Sequence, residues 1–150
     1  IQLLFAKQKA CVRIILNAKY NAHSQPLFHS LGILPLESLI NHQIGMLMHS
    51  IYYDYSLIDY ERFFVKNENH HHYALRNENE FNFFVPRVRT DFLRRFPIFK
   101  FATVWNEIET YIKSIQSKVL FKTNLKYSML NELAGFSCNK LFCYTCSLNV

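Results

Sequence analysis

The feature that most constrains this chain is a run of apolar residues at helical intervals. After Pro35 come Leu36, Leu39, Ile40, Ile44, Leu47, Met48 and Ile51, a three-and-four spacing that fits one face of an α-helix and no strand. Pro35 suits a first-turn position, where its missing N–H costs nothing. The apolar face is broad, so the helix is expected in the interior. The same period runs through residues 2–19: Leu3, Ala10, Cys11, Ile14, Ile15 and Ala18 gather on one face, while Lys9, Arg13 and Asn17 follow one polar edge. This predicts a second deeply packed helix. A short helix near Gln25–Leu31 is expected to stop at Gly32, a natural terminator. Further on, residues 99–112 predict a helix around Trp105, with Phe99, Phe101, Ile108 and Ile112 as core. The last helix spans about Ser114–Leu133. Half of the 150 residues are hydrophobic, with only three glycines and four prolines, which excludes a disordered chain. The fold class is mainly α: one helical domain over 1–133, then a cysteine-containing tail over 134–150.

Two stretches break the helical pattern. Residues 54–80 are rich in tyrosine, asparagine and charge, the composition of a loop. His70, His71 and His72 lie there, and three adjacent histidines cannot all point one way on a helix or strand, so they read as an exposed polar run. Asp54 and Asp59, in YYDYSLIDY, read as surface carboxylates. In FNFFVPRVRT (81–90) the branched and aromatic residues predict a short extended or β segment around 82–90. Pro86 confines it to an edge. An extended chain puts Arg87 and Arg89 on one side, about 6.5–7 Å apart, close to the spacing of neighbouring phosphates.

Charge is concentrated in the same half. Residues 1–75 carry six basic and five acidic side chains and residues 76–150 carry eleven and six, so nearly all of the net +6 lies in the second half. Within 87–100, Arg87, Arg89, Arg94, Arg95 and Lys100 face one acid, Asp91. A surplus of that kind favours polyanions, because bound phosphates release condensed counterions. Guanidinium groups serve equally for bidentate pairs with carboxylates of a neighbouring domain. Lys118, Lys122 and Lys126 form an i, i+4, i+8 stripe that falls inside the arc of Ile115, Val119, Phe121, Leu125 and Met129. Lysines so placed either snorkel past a shallow contact or meet an anionic partner.

Cys138, Cys143 and Cys146 make a C-x4-C-x2-C cluster in the tail. Three thiolates supply most of a tetrahedral zinc site, but no fourth ligand follows them here, so zinc is a weak expectation. Cys11 reads as a small buried hydrophobe. No apolar run approaches the roughly 18 residues of a membrane span, and Lys7, Lys9 and Arg13 interrupt the N-terminal stretch where a secretory signal would be apolar. The expected location is intracellular, nucleus or cytoplasm. There is no Gly-rich phosphate loop, no G-x-S-x-G elbow, no H-E-x-x-H and no close carboxylate pair to hold two catalytic metals.

Six segments, taken in order, carry a resemblance: QKACVRIIL (8–16), LFHSLGILPLESL (27–39), ALRN (74–77), VPRVRT (85–90), VWNEI (104–108) and FKTNLK (121–126). Together they resemble the C-terminal region of non-LTR retrotransposon reverse transcriptases, most of all jockey-like and CR1-like LINE elements, over roughly residues 2–130. The sequence differs from that family after the tryptophan, where W-N-x-L-P is usual and WNEIE stands. The resemblance implies a fragment of an RNA-directed DNA polymerase that lacks the polymerase domain. The family's metal-binding motif, an aromatic residue followed by x-Asp-Asp, does not occur in these residues, so no catalytic role is expected and magnesium belongs to the absent domain. The implied partners are an RNA or DNA backbone, held by Arg87, Arg89, Arg94, Arg95, Lys118, Lys122 and Lys126, and the upstream reverse transcriptase domain itself. Two alternatives stay open: a structural appendage that packs on the polymerase thumb without touching nucleic acid, and a zinc knuckle completed by residues beyond Val150.

Overall fold

A computed structural model describes residues 2–53, 60, 63–67 and 81–134. Asp54, Asp59, His70, His71, His72, the 74–77 segment, Cys138, Cys143 and Cys146 lie outside these residues. The protein is mainly α, with seven helices among the described residues: α1 (Gln2–Ile15), α2 (Ser24–Ser30), α3 (Leu36–Tyr52), α4 (Asp91–Arg94), α5 (Pro97–Glu107), α6 (Thr110–Lys113) and α7 (Lys118–Ala134). They fall into two compact units. The first holds residues 2–40 and 126–134, and the second holds the described residues of 41–125.

In the first unit, α1 and α2 end in the same way. Asn17 has φ 50° and Gly32 has φ 61°, both left-handed. The N–H of Ala18 reaches back to the Arg13 carbonyl at 2.9 Å and that of Asn17 to Ile14 at 3.1 Å; Ile33 bonds to Phe28 at 3.1 Å and Gly32 to His29 at 2.9 Å. Each set is a Schellman cap that satisfies the last orphan carbonyls. The stop expected at Gly32 is there. The first helix, expected to reach residue 19, stops at Ile15, because asparagine enters the left-handed region more readily than other side chains.

The expectation of deep packing for that first helix also needs correction. Only Val12 of α1 is buried, whereas Leu3 is 75% exposed and Ile14 78% exposed, and Leu4 and Ile15 are exposed too. Cys11, expected to be buried, is exposed. The stripe turned inward is instead Phe5, Gln8 and Val12. Phe5 stacks on Phe28 with ring centroids 6.4 Å apart. Gln8 donates to the Leu34 carbonyl at 3.1 Å and accepts from the Leu36 N–H at 2.9 Å, so it satisfies an orphan donor in the first turn of α3.

The second unit is built round Trp105, Met48, His49, Phe121 and Lys113, all with no exposed surface. On α3, Ile44, Met48 and Ile51 are buried as the spacing predicts, while Leu39 and Leu47 remain exposed. Gly45 permits a close approach: a Cβ there would lie 2.8 Å from Leu125 Cδ2 and 3.2 Å from Ile108 Cδ1. His49 stacks on Phe121 at 4.2 Å, with its Nε2 2.8 Å from the Ile115 carbonyl. Burial pushes its imidazole below the ordinary range.

Where one helix over 99–112 is expected, there are two. α5 opens with Pro97 in its first turn and closes at Glu107; Ile108 and Glu109 then turn extended, with ψ near 140°. The break lies two residues beyond Trp105, after Glu107. Ile108 and Ile112 are still buried with Trp105, whereas Phe99 and Phe101, expected in the same core, are only half-buried. The last helix begins at Lys118 and not near Ser114.

Candidate nucleic-acid interface

The residues around 82–90 are positioned by side chains and hardly at all by sheet. Lys66 and Phe83 form an isolated antiparallel bridge. It is flanked by the N–H of Phe84 on the Val65 carbonyl (2.8 Å) and that of Asn67 on the Asn82 carbonyl (3.0 Å). The pairing cannot run on, because Pro86 has no N–H to offer a ladder. On its other side Phe83 is held by one side chain, Asn106. The amide oxygen accepts from the Phe83 N–H at 3.0 Å and the amide nitrogen donates to the Phe83 carbonyl at 2.8 Å. Asn106 thus does what a neighbouring strand would do. Trp105 Nε1 donates to the Phe81 carbonyl at 2.6 Å, which satisfies a buried indole N–H.

Lys113 completes the clamp. Its ammonium donates to Asn82 Oδ1 at 2.8 Å and to the Asn106 carbonyl at 3.0 Å, and it lies 5.9 Å from the Trp105 ring centroid. The second bond fills an orphan carbonyl at the C-terminus of α5, where a cation is favoured. Desolvation pushes the Lys113 ammonium down to about 8, since burial disfavours the charged form. Tyr53 donates from its hydroxyl to the Lys113 carbonyl at 2.7 Å.

From this anchor, residues 85–89 run beside α5 and enclose an open groove of about 750 Å³. One wall is Val85–Arg89. The other is the face of α5 bearing Phe99, Lys100, Thr103, Val104 and Glu107, residues at helical spacing, with Arg94 of α4 also lining the groove. Arg87 and Arg89 are exposed and Val88 between them is half-buried, but Pro86 and Thr90 are exposed as well, Val85 is half-buried and the chain bends at Arg89, so the strict two-sided alternation expected over 85–90 is not kept. Thr90 caps α4 by accepting from the Leu93 N–H at 3.4 Å. Arg94 is 3.4 Å from Asp91, an exposed i, i+3 pair of the kind that holds a side chain weakly. Arg87, Arg89, Arg94 and Lys100 against Glu107 leave the lining at +3.

Of the candidates named from sequence, the groove brings together Arg87, Arg89 and Arg94. Arg95 is exposed at the end of α4 and does not line it. Lys118 and Lys122 are exposed on α7, next to its buried pair Phe121 and Leu125, and are not part of the lining. Lys126 is exposed in the first unit. Lys100 was visible in sequence as part of the basic run, and its place in the groove follows from the α5 register. Nothing in the sequence marked Asn106 or Lys113, whose roles depend on partners 23 and 31 residues away.

Among the described residues no group of three histidine, cysteine or acidic side chains is arranged to hold a metal ion. No helix among them is long and apolar enough to cross a membrane. Comparison with known proteins finds no matching family model, no matching curated protein and no matching solved structure.

Proposed function

We propose that this chain is a non-catalytic C-terminal part of an RNA-directed DNA polymerase of the non-LTR retrotransposon kind, and that its groove holds the backbone of an RNA template or primer duplex. The observation that carries the reading is the groove itself: three arginines and a lysine among apolar residues on its walls, next to residues 81–83, which Trp105, Asn106 and Lys113 hold in place. Two of the segments that carry the resemblance, 85–90 and 104–108, supply residues to its opposite walls. A guanidinium group offers parallel N–H donors that match a phosphate in bidentate geometry, so each arginine can hold one in a set orientation. Lys118, Lys122 and Lys126 offer further positive charge to phosphates along α7.

The reading is tested by fluorescence anisotropy over a salt series. Binding should weaken steeply with salt, with little sequence preference. The Arg87→Ala/Arg89→Ala double variant should lower affinity and reduce the log–log salt slope by roughly 0.7–0.9 for each phosphate that is no longer neutralised. An unchanged slope removes these two arginines from the site.

A second reading, a structural appendage packing on the polymerase thumb, is favoured by the exposed Leu3, Leu4, Ile14 and Ile15 of α1. It predicts a folded chain that binds no nucleic acid at low salt. A zinc knuckle at Cys138, Cys143 and Cys146 is the third, and zinc content of the purified protein decides it.

A further inference from the structure

We infer that a pocket in the first unit, with Lys9 and Arg13 of α1 on its wall, binds the phosphate group of a small molecule. This site is separate from the groove and stands without the nucleic-acid reading. Phe5, Lys9 and Arg13 follow one another at i, i+4 and i+8 and form one side of a cavity of about 440 Å³. Residues 21–25, at the start of α2, form a second side, and Pro35, Glu37 and Ser38, at the start of α3, form a third. The volume lies within the ~300–1,000 Å³ of clefts that hold small organic ligands.

Two observations carry the inference. The first is that two like charges are held side by side. Lys9 and Arg13 are both half-buried, and cations four residues apart on a helix repel each other. Neither side chain swings away into water: Lys9 Nζ lies 4.0 Å from the Phe5 ring centroid, and Arg13 Nε donates to the Ala22 carbonyl at 3.0 Å. Phe5 and Ala22 are themselves lining residues, so both charges stay at the pocket wall. Among the described residues neither cation forms an ion pair, with Glu37 or with any other acid. An anion between them turns the repulsion into attraction. The second observation is the donor geometry. Arginine carries five N–H donors, and the bond to Ala22 uses the one on Nε. The end-on pair of terminal nitrogens is the fork that matches two oxygens of a phosphate. A phosphate keeps further oxygens for the Lys9 ammonium, whereas a carboxylate spends both of its oxygens on the fork. Glu37 is exposed and also lines the pocket. Its carboxylate opposes a bound anion, which gives a test of opposite sign.

The test is equilibrium dialysis of the full chain against radiolabelled inorganic phosphate, uridine monophosphate and uridine at constant ionic strength. The two phosphates should bind and uridine should not. Tighter binding of the monophosphate assigns the ligand as an ester whose organic part also meets the pocket; equal affinity assigns the free ion. Lys9→Gln should weaken binding about tenfold, the loss of one charge-assisted hydrogen bond. Glu37→Gln should strengthen it, a change that a damaged fold would not produce. Circular dichroism checks that both variants keep their helix content. Three results overturn the inference: no binding of either phosphate at millimolar concentration, uridine binding as tightly as its monophosphate, or a Lys9→Gln variant that binds like the native protein.

Discussion

Replacing Asn106 by alanine tests the clamp that positions the groove. In the native protein the Asn106 amide satisfies both the N–H and the carbonyl of Phe83, at 3.0 and 2.8 Å, and Phe83 is almost fully buried. Alanine leaves two buried backbone groups without these partners. Each such group costs about 1–3 kcal/mol in lost hydrogen bonding and desolvation, so the variant should lose about 2–6 kcal/mol of unfolding free energy. That is a large part of the roughly 5–15 kcal/mol available to a typical domain. Urea denaturation followed by circular dichroism gives the total, and hydrogen exchange at the Phe83 amide locates it: protection there should collapse first. Asn124→Ala is the control. Asn124 also donates to a carbonyl, that of Leu120 at 2.9 Å, but in an exposed position, and its loss should fall within about 0.5 kcal/mol. A loss at Asn106 no larger than that at Asn124 would show that Asn106 does not pin the segment.

Lys113 predicts a pH dependence. Its folded value of about 8 lies below the ordinary lysine value, so between the two the unfolded chain binds the extra proton, and stability should rise with pH through that window by up to about 3 kcal/mol. Lys113→Met should flatten the rise in urea titrations run at successive pH values; an equal rise in the variant assigns it elsewhere. Gly45→Ala gains about 0.5–1 kcal/mol of helix propensity but forces Leu125 and Ile108 aside, at about 1–3 kcal/mol. A net loss on the order of 1 kcal/mol in the urea midpoint is expected, and a gain would mean that the helices separate freely. Gly32→Ala meets no atom within 4 Å, yet should cost about 1–2 kcal/mol because its φ of 61° disfavours any Cβ.

Much of the helical content was legible in the chain. The spacing of Leu36 through Ile51 located α3, and Gly32 located the end of α2, because both signals act within a few residues of themselves. Of the core expected around Trp105, Ile108 and Ile112 are buried and Phe99 and Phe101 only half-buried. α1 was legible only in part. Its end is set by the left-handed Asn17, a weaker stop signal than glycine, and its burial is set by which neighbours reach it. Periodicity reports which side chains share a face; it does not report whether anything covers that face.

A mainly helical chain with its positive charge gathered at 87–100 is readable from the sequence alone. These follow from local rules of backbone geometry and from counting charges. Only the tertiary structure decided that α5 breaks after Glu107, that Asn106 serves in place of a strand, that Lys113 is buried between Asn82 and the end of α5, and that Arg94 and Lys100 join the arginine pair along one groove. Each of these depends on hydrogen bonds or packing between residues far apart in sequence, and such partners leave no periodic trace in the chain that carries them.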